Sequence, residues 1–136
     1  MLKKVIFKIF IFLLLISCYS ANAAYILIPM DNTQKNHLKA YGIAYWTLKQ
    51  DVEVSWLLNY RGGSFMFQHH ALLEKECVIR GVSIEVIADV QAMSIRNEIS
   101  SPELNMDDIK LQKAPKIAVY APPNHLPWDD AVVMAL

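Results

Sequence analysis

The chain has 136 residues, 54% of them hydrophobic and 19% charged, with 13 basic and 13 acidic side chains. That length supports one small domain. The even charge balance carries no basic stripe able to neutralise a phosphate backbone, which excludes nucleic acid as a partner. Much of the hydrophobicity lies at the start, where Lys3 and Lys4 precede an apolar run over residues 5–16, broken by Lys8, and a small polar stretch over 17–23. This is the order of a secretory signal peptide, and the run is shorter than the roughly 20 residues a membrane span needs.

Two processing routes are open. Ala21-Asn22-Ala23 forms an A-x-A cleavage site. Leu15-Ile16-Ser17-Cys18 also resembles a lipoprotein box, which would place a lipid anchor on Cys18. Cleavage after Ala23 is favoured, because an apolar strand follows almost at once. The expectation is an exported protein, periplasmic or secreted, with anchoring through Cys18 as the alternative. Removing residues 1–23 takes away three lysines and no acid, leaving 10 basic against 13 acidic residues and a charge of −3. Cys77 is then left alone, so no internal disulfide holds the fold, and it reads as a small core residue.

Residues 25–29 form an unbroken apolar run ending in Pro29, as a buried parallel strand does. Asp31, Asn32 and Thr33 offer helix caps, and the spacing predicts a helix over 34–49 with Leu38, Tyr41, Tyr45 and Leu48 as its buried stripe and Ala44 beside them. Residues 52–58 read as a second strand, ended by the turn signal Asn59-Tyr60-Arg61-Gly62-Gly63-Ser64. A short extended piece over 64–67 is followed by a helix over 71–79, stopped by Gly81. Residues 83–87 read as a third strand, and Ala88, Ala92, Ile95 and Ile99 mark a helix that ends before Ser101-Pro102. The polar stretch 102–114 is a linker or an edge excursion. Residues 116–121 read as a fourth strand, 122–125 as a rigid loop, and Pro127 opens a last helix whose dipole Asp129 and Asp130 complement.

This alternation predicts an α/β fold, a parallel sheet with helices on both faces. The expected organisation is a signal peptide (1–23), an N-terminal α/β segment (24–113), and the first strand and helix of a further α/β segment (114–136), cut short. The last helix ends on the apolar, uncapped residues 132–136, so the chain reads as the N-terminal part of a longer protein.

Ligands of open parallel sheets gather at the carboxyl ends of the strands. The candidate ligand-binding residues are therefore Asp31, Arg61, Gly62, Gly63 and His125. Gly62 and Gly63 can turn backbone amides toward an anion while Arg61 clamps a carboxylate or phosphate. A Gly-Gly pair after a strand serves equally as a plain turn. His125 is either a general base in a rigid loop or an exposed loop residue. His69 and His70 are adjacent and point apart, so no metal site is expected. No nucleophile elbow, catalytic constellation or cofactor motif is visible.

The phrases over residues 26–31, 40–46, 56–64, 114–120 and 127–131 resemble a secreted bacterial family whose members are commonly labelled asparagine synthetase B. The resemblance covers essentially all of the chain after the signal segment. It implies a longer protein with a fold of the class I glutamine amidotransferase type, any catalytic residues lying beyond Leu136. Two functions are thus expected. One is part of an exported amidotransferase-like protein. The other is a non-enzymatic periplasmic binding module for a small anionic or carboxylated ligand.

Overall fold

A computed structural model describes residues 23–118. Five strands form one sheet: β1 (Ala23–Ile28), β2 (Val54–Leu58), β3 (Ser64–Gln68), β4 (Glu85–Ala88) and β5 (Asp107–Leu111). Three helices join them: α1 (His37–Lys49), α2 (Ala71–Arg80) and α3 (Asp89–Ile99). The strand order is β4-β1-β3-β2-β5, and every neighbouring pair is antiparallel. The expected parallel sheet is therefore wrong: among the described residues the sheet is antiparallel throughout.

The physical reason lies in one short strand. β1-α1-β2 is a crossover of the kind that builds parallel sheets, but β1 and β2 never pair. After β2 the chain reverses through a tight turn, and β3 enters between them, with Tyr25 facing Gln68 on one side and Val54 facing Phe67 on the other. The β1-α1-β2-β3-α2-β4 unit with order β4-β1-β3-β2 is the split βαβ, or ferredoxin-like, arrangement. α3 and β5 are added to it. β5 arises inside the polar stretch 102–114 and pairs with the outer side of β2, from Val54↔Leu111 to Leu58↔Asp107.

The two faces of the sheet have separate cores. Ile26, Ile28, Val54, Phe65 and Phe67 pack against α1 and α2 through Ile43, Leu48, Leu73 and Cys77. Leu27, Leu57 and Met66, on the opposite side of the pleat, pack against Ala92, Ile95 and Ile99 of α3.

α1 starts later than its pattern suggests and buries a face that shares only Ala44 and Leu48 with the expected stripe. Gln34 does not enter the helix. It is buried, donates to Pro29 O (2.9 Å) and Ser83 O (3.1 Å), and accepts from Ser83 N–H (2.9 Å), tying the end of β1 to the entry of β4. Asn36 then caps the helix, its side chain accepting from Lys39 N–H at 3.0 Å. The inward stripe is Ala40, Ile43, Ala44, Thr47 and Leu48, whereas Leu38 is 84% exposed and Tyr41 52%. Small side chains let the helix lie close to the sheet, so the bulkier stripe is left outside.

α2 follows the sequence closely and stops at Gly81, whose φ of +70° lets Val82 N–H close on Cys77 O at 2.9 Å. Of the fourth strand expected over 116–121, residues 116–118 carry no strand. Its remainder, the loop with His125, the expected last helix and all of the expected signal segment except Ala23, which begins β1, lie outside the described residues.

Because Ile43 is fully buried and Leu38 is open to solvent, truncation should separate them sharply. Ile43→Ala is expected to cost about 2–5 kcal/mol in chemical unfolding, and Leu38→Ala less than about 0.5 kcal/mol. Equal costs would place the wrong stripe of α1 inside.

Candidate functional site

Four of the five expected ligand residues do come together, but they serve each other. Asn59, Arg61, Gly62 and Gly63 all have positive φ, and they turn the chain from β2 into β3. This turn packs on the segment after β1. Met30 N–H donates to Arg61 O at 3.2 Å, and a Cβ on Gly62 would collide with the Met30 carbonyl. Gly62 is required there for space as well as for its φ of +83°. The Arg61 guanidinium reaches across to Asp31 Oδ2 (2.7 Å) and to Glu85 Oε1 on β4 (2.8 Å).

Such distances are those of closed, charge-assisted hydrogen bonds. The Thr33 hydroxyl and, next to it, Arg61 hold the Asp31 carboxyl down at about 2, with Thr33 N–H adding to them. Its hydrogen bond to Asp31, followed by that to Glu85, keeps the Arg61 guanidinium more firmly protonated. Arg61 is thus already bound to two carboxylates of the protein itself. His125, the fifth residue, lies outside the described residues.

The other singled-out residues have local roles. His69 Nε2 lies 2.8 Å from Glu74 Oε2, and His70 occupies the N-cap position of α2. Cys77 is fully buried, and burial pushes its thiol up to about 11, so it is not a thiolate at neutral pH. No cluster of metal-ligating side chains occurs among the described residues. None of their helices is long and apolar enough to cross a membrane.

A second cluster was not foreseen. α3 covers the Leu27–Leu57 half of its sheet face and leaves the other half open as a cleft of about 680 Å³. Tyr25, Ser55, Gln68, Arg96, Asp108 and Lys110 line it, with Glu53 and His70 at its margin. The strands set this pattern: Ser55 faces Met66 on one side and Lys110 on the other, and Tyr25 faces Gln68. Arg96 reaches in from α3, its guanidinium 5.0 Å from the centre of the Tyr25 ring.

The charges here are loosely paired. Asp108 Oδ2 lies 3.4 Å from Arg96 Nε and 3.5 Å from Lys110 Nζ, and Lys110 is 3.6 Å from Glu53. The one short contact donates Lys110 Nζ to Ser55 Oγ at 2.7 Å. Arg96 Nε and Asp108 Oδ1 are buried without hydrogen-bond partners. A buried polar group left so costs about 1–3 kcal/mol. The sequence held a faint signal for this site: polar Ser55 alternates with apolar Val54 and Trp56 within a strand.

No family model, curated protein or solved structure matches the chain.

The Asp31 carboxyl sits below its unfolded value, so its contribution is complete above pH about 4 and is lost as pH falls through about 2. Wild type is therefore expected to be more stable than Asp31→Asn at pH 5–7, with the difference vanishing toward pH 2 in thermal unfolding. A difference that does not change with pH would show that the pairing does not stabilise the fold.

Proposed function

We propose that the folded part of this chain is a binding module of an exported protein and takes a small carboxylated ligand in the cleft beside α3. The observation that carries this reading is the contrast between the two charged clusters. At Arg61 every charge is closed by bonds of 2.7–2.8 Å. In the cleft two cations, Arg96 and Lys110, flank Asp108 at 3.4 and 3.5 Å. A carboxylate entering from the open side can accept from the terminal nitrogens of Arg96 and from Lys110 Nζ, giving both cations the short bond to an anion that they lack. A cavity of this size, with a few convergent polar groups, suits a small molecule.

The export signal over residues 1–23 is compatible with this fold. A chain beginning at Ala24 keeps the whole β1–β3 register, from Tyr25 to Ile28, and loses from β1 only Ala23, which faces Ala88 of β4.

Titration of the isotopically labelled protein with the dipeptide Ala-Ala tests the proposal by amide chemical shifts. Shifts are expected at Tyr25, Ser55, Gln68 and Lys110, and Lys110→Met should weaken binding about tenfold. Shifts centred on Arg61–Gly63, or none at the cleft, would overturn it.

A further inference from the structure

The cleft is not a simple cation pocket. Its ionic groups alternate in sign along one line: Arg96, Asp108, Lys110, Glu53, with successive contacts of 3.4, 3.5 and 3.6 Å. Asp51 adds a further acid at the rim. A ligand carrying only negative charge can reach Arg96 and Lys110, but it must then lie beside Asp108 and Glu53, which repel it. A ligand carrying only positive charge meets the converse difficulty.

From this alternation we infer that the ligand is a zwitterion, an α-amino acid or short peptide whose carboxylate and ammonium are both free. The inference rests on the carboxylate-binding reading of the same cleft and adds the second pole. The carboxylate takes Arg96 and Lys110. The ammonium turns toward Glu53 and Asp108, each of which now holds a cation only at 3.4–3.6 Å. Both acids then gain the short charge-assisted bonds that are absent between the protein's own groups. Buried Ser55 and exposed Gln68, both lining the cleft, supply hydrogen bonds for a peptide group between the two ends. Specificity arises from the acids, which penalise a simple anion, as well as from the cations.

Three probes separate the poles: Ala-Ala, its N-acetyl derivative, which has no ammonium, and its C-terminal amide, which has no carboxylate. Calorimetric titration of the intact protein should find Ala-Ala binding about tenfold more tightly than either derivative. Free alanine run alongside distinguishes an amino-acid site from a peptide site. Glu53→Gln, a change at an exposed side chain, should weaken Ala-Ala while binding of the N-acetyl derivative holds or tightens, because the substitution removes a charge that repels it. If N-acetyl-Ala-Ala binds as tightly as Ala-Ala, the zwitterion inference fails and carboxylate binding stands. If the amide binds as tightly as Ala-Ala, both fail.

Discussion

The guanidinium of Arg61 lies between the carboxylates of Asp31 and Glu85, and three parts of the sheet meet at that point. Asp31 follows β1, Arg61 sits in the turn between β2 and β3, and Glu85 opens β4. The same turn is seated on Met30 by a main-chain hydrogen bond and by the missing side chain of Gly62. With the turn fixed beside the end of β1, β3 has one place to go, the space between β1 and β2. The order of the whole sheet follows from that. The bonds of Arg61 are partly exposed, so each adds little to stability by itself. Their importance is geometric: they hold a left-handed turn against the strand it must sit beside.

A sheet assembled in this way has one face covered by α1 and α2 and the other covered only in part. α3 lies across the second face and seals Leu27, Leu57 and Met66, with Arg96 at the limit of its reach. Beyond Arg96 the alternate residues of β1, β2, β3 and β5 are polar and converge on open space. The same interleaving that closes the Arg61 cluster opens the cleft, because β3 brings Met66 and Gln68 alongside Ser55 and Tyr25. One cluster is complete within the protein. The other has charges in register but only loosely paired, at 3.4–3.6 Å, which leaves room for a shorter bond to a group supplied from outside.

The sequence revealed elements better than their arrangement. β1, α2 and the buried stripe of α3 lie close to where period and caps put them, because those signals are local. The Arg61-Gly62-Gly63 turn was also visible, since paired glycines announce positive φ. Three features were not. Residues 64–67 looked like a minor extended piece, yet all four are buried and they occupy the middle of the sheet. Strand order depends on long-range pairing, which no local pattern encodes, and strand–helix alternation serves split and unsplit crossovers alike. α1 carries two apolar stripes, and its period does not say which one faces inward; the close approach of helix to sheet selects the smaller. The cleft was invisible for the first of these reasons, since Tyr25, Ser55, Gln68, Arg96 and Lys110 meet only once β3 and β5 are in place.

The interleaved sheet is thus the claim on which both clusters rest, and a map of backbone nuclear Overhauser contacts tests it most directly. The structure requires contacts from Ile26 to both Phe67 and Val86, and from Val54 to both Phe67 and Leu111. Direct backbone contacts between residues 25–28 and 54–58, in parallel register and with β3 at an edge, would contradict it.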